Sequence, residues 1–382
     1  FPRIVKFPST FTKILKVSCG YAHTIVITYE HTVFTWGSGK YGCLGNSKSE
    51  SAYIPQFIEY DFDTIKFTNI TDISAGMYFS LALNNEGTLF SWGCGNNGRL
   101  GHDDENSVGS PKRIKSLLEN NIKIMSITTG DTHSCIISSS KDLYSFGSGS
   151  YGKLGHGSYE DVKRPLKLEY FANIKVDQVI CGSYNTMALT TDDRLLAWGK
   201  NAHGMLGLPQ MMDANILLPQ SIQFKSTEYN VTVKEIALGT MHSMILLSNG
   251  HLYTLGNTSN GVLGIPNVFD KVPIPKRIPD FTFFISKSVD ITKGTKFEYY
   301  NPEMTLNLPK SRLATGNVHI VCSNMNTAFI TNSGELYMCG ENSLIYPENE
   351  KSIRINNKVM YGNKELEKMK WSNKIFKIDV PD

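Results

Sequence analysis

The feature that most constrains this chain is an interval of 17 residues that recurs six times, from a glycine in a small-residue turn to a second glycine behind an aromatic or apolar residue. The pairs are Gly20 and Gly37, Gly76 and Gly93, Gly130 and Gly147, Gly182 and Gly199, Gly239 and Gly256, and Ser323 and Gly340, where serine replaces the first glycine. In five of them a further interval of 8 leads to Gly45, Gly101, Gly155, Gly207 or Gly264, each preceded by leucine. Successive second glycines lie 56, 54, 52, 57 and 84 residues apart. A period near about 50 residues is the size of a four-stranded propeller blade.

Within each unit the apolar residues alternate, as in Ser80-Leu81-Ala82-Leu83 and Thr88-Leu89-Phe90-Ser91-Trp92. That is the period of a strand, not of a helix. Polar turns such as Asn84-Asn85-Glu86-Gly87 and Ser248-Asn249-Gly250 join the strands as hairpins. The aromatic before the second glycine (Trp36, Trp92, Phe146, Trp198) is expected to be buried between neighbouring blades, with Leu255 and Cys339 as smaller substitutes. The expected fold is all-β, one β-propeller domain over residues 1–382, with blade repeats near 12–67, 68–122, 123–174, 175–231, 232–280 and 319–370.

Two irregularities qualify that pattern. The long last interval implies an inserted β-hairpin or lobe over residues 281–318, where insertions in compact domains are often functional. The sixth unit is degenerate and lacks its second half after Gly340. Residues 371–380 read like the first strand of a further unit and residues 2–7 like the last strand of a preceding one. Residues 1–8 and 371–382 are therefore expected to meet in an incomplete closing blade.

Composition narrows the function classes. With 41% hydrophobic and 19% charged residues, the chain has ample core. Its net charge of +3 gives no strong field toward nucleic acid or anionic membrane. Seven cysteines, an odd number without a C-x-x-C pair, fit a reducing intracellular compartment, cytoplasmic or nuclear, better than a disulfide framework. No apolar run approaches the roughly 20 residues that span a bilayer, so a soluble monomer without membrane contact is expected.

Read as text, the units are Trp36-Gly-Ser-Gly-Lys-Tyr-Gly-Cys-Leu-Gly45, Trp92-Gly-Cys-Gly-Asn-Asn-Gly-Arg-Leu-Gly-His102 and Phe146-Gly-Ser-Gly-Ser-Tyr-Gly-Lys-Leu-Gly-His156. With Gly20-Tyr-Ala-His-Thr24, Gly130-Asp-Thr-His-Ser134 and Gly239-Thr-Met-His-Ser243, the chain resembles the regulator of chromosome condensation repeat family over residues 12–348. The resemblance implies a seven-bladed propeller. It also implies an activity, nucleotide exchange on the small GTPase Ran through one propeller face and an inserted wedge. Of the face positions just after each first glycine, only Asp131 is acidic, and no complete unit carries an Arg/Asp wedge insertion.

Catalytic constellations are missing from the sequence: there is no P-loop, H-E-x-x-H, G-x-S-x-G or metal-spaced Cys/His cluster. No enzyme activity, cofactor or metal is expected. His23, His133 and His242 share one repeat position, held elsewhere by Phe79, Asn185 and Asn326, which points to a structural, hydrogen-bonded role. The turns after the first glycines hold Tyr21, Met77, Tyr78, Asp131, Tyr184, Met241 and Met325. An aromatic and methionine-rich rim of this kind is enriched at protein interfaces, so these are the candidate partner-binding residues. The other reading of the same residues is a plug of the central channel.

The expected function is thus a protein-interaction scaffold, with chromatin-associated guanine-nucleotide exchange for a Ran-like small GTPase as the alternative. The basic stretch Lys351, Arg354, Lys358, Lys364, Lys368, Lys370, Lys374 and Lys377 is diluted by Glu348, Glu350, Glu365 and Glu367. It reads as a charge-mixed surface, and direct nucleic-acid binding is not expected.

Overall fold

A computed structural model describes residues 5, 7, 13–58, 67–222, 231–265, 268, 270–278, 319–322, 326–330, 336–340, 353–355, 358–360 and 376–378. These contain six four-stranded antiparallel sheets, one two-stranded ribbon and a single short α-helix, Lys115–Glu119. The chain divides into two compact units, Ile4–Lys200 with Ala214–Ile222, and Asn201–Asp213 with Gln223–Asp382 and Phe1–Arg3.

The first unit holds four sheets. Blade 1 comprises Ile14–Cys19, His23–Thr28, Val33–Gly37 and Ala52–Phe57; blade 2 comprises Ile70–Ala75, Phe79–Asn84, Leu89–Gly93 and Val108–Arg113. Blade 3 comprises Ile124–Thr129, His133–Ser138, Leu143–Gly147 and Val162–Lys167; blade 4 comprises Val176–Cys181, Asn185–Thr190, Leu195–Lys200 and Asn215–Ser221. Each is a plain meander in which neighbours in sequence are neighbours in the sheet. In blades 2, 3 and 4 the second strand is buried along its whole length, and in blades 2 and 3 a blade of the same unit packs on either face. The fourth strand is the sheet's exposed edge, and in blades 1 to 4 it contains Pro55, Pro111, Pro165 and Pro219. Proline donates no ladder hydrogen bond, so an edge strand is where it fits and where it discourages pairing with another chain.

The register explains the 17-residue interval. His23, Phe79, His133 and Asn185 each pair with the second glycine of their own blade, Gly37, Gly93, Gly147 and Gly199. The residue after that glycine turns back to donate its N–H to the carbonyl two residues beyond the first glycine, as Cys94 does to Tyr78 at 2.8 Å and Lys200 to Tyr184 at 3.0 Å. This needs φ near +100° at the second glycine (+103° at Gly93, +97° at Gly199), and an added β-carbon at Gly93 would lie 2.4 Å from the Tyr78 oxygen.

The interval of 8 has a cross-blade cause. Trp92 donates its indole N–H to the Cys43 carbonyl of blade 1 at 3.0 Å, and Trp198 donates to the Lys153 carbonyl of blade 3 at 2.9 Å. Each indole then lies over the glycine two residues further on, so that a β-carbon on Gly45 or Gly155 would come within 2.7 or 2.8 Å of the indole nitrogen. Gly149 is fixed by close approach instead: its β-carbon would meet the Glu160 carbonyl oxygen at 2.0 Å. Gly149→Ala is expected to cost about 1–3 kcal/mol, as overpacking against backbone does, read as a fall in the urea midpoint at unchanged slope.

The second unit holds blade 5, Val233–Leu238, His242–Leu247, Leu252–Gly256 and Val272–Arg277, with the same His242 to Gly256 register and Pro275 on its edge. Blade 6 comprises His319–Cys322, Asn326–Ile330, Leu336–Gly340 and Phe376–Ile378. Here the sequence expectation needs correction. Phe376–Ile378 does not open a further blade; it pairs antiparallel with Leu336–Gly340 and supplies the fourth strand that the degenerate unit lacked. The physical reason is an open ladder edge on Leu336–Gly340, which the C-terminal strand satisfies. Between them Ile353–Ile355 and Lys358–Met360 form the two-stranded ribbon, carrying Arg354 and Lys358. The expected lobe at 281–318 lies outside the described residues, as does most of the N-terminal part of the expected closing blade. Phe7 is described, and it packs edge-on against Phe34 and Trp36 as Phe67 does against Phe90 and Trp92.

Candidate partner-binding face

The turns of blades 1 to 4 bring five of the seven expected residues, Tyr21, Met77, Tyr78, Asp131 and Tyr184, into one unit. Met241 lies in the other unit, where its sulfur accepts from the Asn257 amide at 3.5 Å, and Met325 lies outside the described residues. Tyr21 is 72% exposed and its ring is 5.5 Å from that of Tyr78. The Tyr41 ring joins them at 5.8 Å from Tyr78, and the Lys40 ammonium stands 5.0 Å and 5.4 Å from the Tyr41 and Tyr78 centroids.

Blades 3 and 4 repeat the arrangement. The rings of Tyr151 and Tyr184 are 5.2 Å apart, and the Lys200 ammonium lies 4.9 Å and 5.3 Å from their centroids. Cation–π attraction of this kind is worth about 0.5–1 kcal/mol at an exposed site. Tyr41, Tyr78 and Tyr151 all sit at φ between 60° and 64°, a left-handed conformation that is an outlier for bulky residues. The Tyr41 and Tyr151 position is left-handed in the other loops as well, at Asn97 and His203, so the turn of the repeat sets this conformation.

Arg99 and Lys153 lie in the loops of blades 2 and 3, and both are buried cations. Arg99 donates to the carbonyls of Asn96 at 2.9 Å and Met77 at 3.3 Å and to the Asn97 side-chain oxygen at 3.1 Å. Lys153, 1% exposed, donates to the hydroxyls of Thr132 at 2.8 Å and Ser150 at 2.9 Å. Burial pushes the Lys153 ammonium down to about 8, with the Asp131 carboxylate pulling the other way, and burial likewise lowers Arg99. Asp131 therefore acts on the two cations through space, and its backbone carbonyl accepts from the Met77 N–H at 3.1 Å.

The shared histidine position is structural. The rings of His23, His133 and His242 are buried, and Nε2 of each meets a hydroxyl of the following blade: Ser80 at 2.9 Å, Thr186 at 3.0 Å and Thr327 at 2.8 Å. Sequence reasoning missed Lys40, Tyr41, Tyr151, Lys200, Arg99 and Lys153. Tyr41 and Tyr151 hold the same place in Gly39-Lys-Tyr-Gly42 and Gly149-Ser-Tyr-Gly152, so aligning the loops as well as the turns would have found them.

A model of the RCC1-like domain matches residues 1–301, and the chain belongs to that family of β-propellers. It is 32% identical over 289 residues to the ultraviolet-B receptor UVR8 of Arabidopsis thaliana, covering 76% of this chain and 62% of that one. It is 30% identical over 254 residues to the E3 ubiquitin-protein ligase HERC2 of Homo sapiens, covering 66% of this chain and 5% of that one. The chain thus spans under two thirds of these relatives. Among solved structures, human WBSCR16 superposes with a TM-score of 0.70 at 23% identity, covering 88% of this chain and 78% of that one. Yeast RCC1 (Prp20), solved bound to Kap60, superposes with a TM-score of 0.66 at 19% identity, covering 86% and 70%. No helix among the described residues is long and apolar enough to cross a membrane.

Proposed function

We propose that this chain is a protein-interaction module that binds a protein partner through the tyrosine and lysine face of blades 1 to 4. The observation that carries the reading is the repeated cluster, a lysine over a pair of tyrosine rings, on two pairs of blades with three of the tyrosines in left-handed turns. Tyrosine is a preferred interface anchor because it presents a large, rigid area with a polar tip. Lys40 and Lys200, which stand over the rings and are not buried, favour a partner segment that brings acidic or carbonyl oxygen atoms to the face. Seven free thiols are in keeping with a reducing compartment, cytoplasm or nucleus.

The test is affinity capture with the chain as bait, followed by binding measurements on Tyr78→Ala with Tyr184→Ala. Two hot-spot losses of about 2 kcal/mol each would weaken binding by several hundred-fold, with the urea midpoint nearly unchanged. A fall in stability that matches the loss of binding would mean that the rings plug the propeller instead. If a small GTPase is recovered, faster release of its guanine nucleotide would favour exchange over scaffolding.

A further inference from the structure

His133 and Cys135 stand two apart on the second strand of blade 3 and so share a face, and Cys181 ends the first strand of blade 4 beside them. A ring nitrogen of His133 and the two sulfurs all lie within 4.8 Å of one another, and all three residues are buried. The Cys181 thiol donates to the Thr128 carbonyl at 3.9 Å. Thr186 spends its hydroxyl proton on the Lys153 carbonyl at 2.8 Å, so toward His133 Nε2 at 3.0 Å it can only accept. The proton is therefore on Nε2, and Nδ1 keeps a lone pair with no hydrogen-bond partner.

Other blades lack this combination. Around His23 the matching positions are Ile25 and Ala75, and around His242 they are Met244 and Cys322. Among the described residues, His133 alone has two thiols at hand. Two thiolates and a neutral imidazole are soft donors whose charge cancels that of a divalent cation, which matters in a dry site where net charge is costly. Zinc–sulfur and zinc–nitrogen bonds of about 2.3 and 2.0–2.1 Å put donors about 3.5–4 Å apart, which small side-chain rotations reach from 4.8 Å.

We propose that His133, Cys135 and Cys181 form a binding site for one zinc-like thiophilic divalent cation that pins blade 3 to blade 4. Binding forms two metal–sulfur bonds and one metal–nitrogen bond, one water of the entering aquo ion stays as the fourth ligand while the rest are released, and the two thiol protons leave to solvent. The site is independent of the partner-binding face and stands or falls separately from it. The full chain, reduced and stripped with a chelator, is titrated anaerobically with cobalt(II) and then zinc. The expected result is about one cobalt per chain with tetrahedral d–d and sulfur-to-cobalt bands, displaced by zinc, which raises the thermal midpoint. Cys135→Ser and Cys181→Ser each lower the affinity by more than about tenfold, as does His133→Asn, while Cys43→Ser leaves it unchanged. His133→Asn keeps the test sound if a serine variant folds poorly, because asparagine already holds this position in blades 4 and 6. Absence of the cobalt bands in the wild-type chain, or their survival in Cys135→Ser with Cys181→Ser, overturns the site. So does loss of two hydrogens by mass in the unreduced, metal-free protein without any metal uptake, which would make the pair a disulfide.

Discussion

Trp198→Ala should destabilise the first unit by about 3–5 kcal/mol, the range for deleting a large buried aromatic. The indole is fully buried, and its N–H reaches across the blade boundary to the Lys153 carbonyl. That carbonyl also accepts from the Thr186 hydroxyl, so the indole and the hydroxyl converge on one acceptor between blades 3 and 4. Removing the indole opens a cavity and exposes the face of Gly155 on which it packs. Trp92→Ala should behave alike, because its indole donates to the Cys43 carbonyl in the same way. Trp36→Ala should cost clearly less, since Trp36 is only half-buried. Urea denaturation followed by far-ultraviolet circular dichroism gives the three midpoints. Equal losses for Trp36 and Trp198 would refute the claim that these aromatics act as wedges between blades.

Much of this architecture was legible in the sequence because it is local and repeated. The glycine at the end of each 17-residue interval is read directly, since it pairs opposite the residue three after the first glycine in every described blade. Five prolines, Pro55, Pro111, Pro165, Pro219 and Pro275, mark the edge strands at nearly the same spacing, a signal available without any structure. What stayed hidden arises between repeats. Lys40 meets Tyr78, and Lys200 meets Tyr151, only after neighbouring blades stack, so no spacing within a unit announces either cluster. Cys135 and Cys181 are 46 residues apart and fit no metal-binding spacing, yet the meander brings them together. Phe376–Ile378 was misplaced because a single strand carries no mark of the ladder it will join.

Acid should unfold this protein well before its carboxylates are titrated. Burial lowers His23 and His242 from the ordinary 6.5 to about 4, and burial, helped by Lys112, does the same to His102. Protonating His23 or His242 would add a second N–H donor at Nδ1, a buried atom with no acceptor. The unfolded chain takes up these protons from pH 6.5 downward while the folded chain refuses them until about 4, so stability is full above 6.5 and falls between those values. At about 1.36 kcal/mol per pH unit, each of the two loses roughly 2 kcal/mol by pH 5, a large share of a typical domain's stability. Asparagine supplies the control, for it holds the equivalent place at Asn185 and Asn326 and does not titrate. His23→Asn should flatten the stability of the first unit against pH by about 2 kcal/mol between pH 7.5 and 5, and His242→Asn that of the second unit by as much, each at a smaller cost near neutrality, read by urea denaturation. A variant whose midpoint falls with acid as steeply as the wild type would place the sensitivity elsewhere.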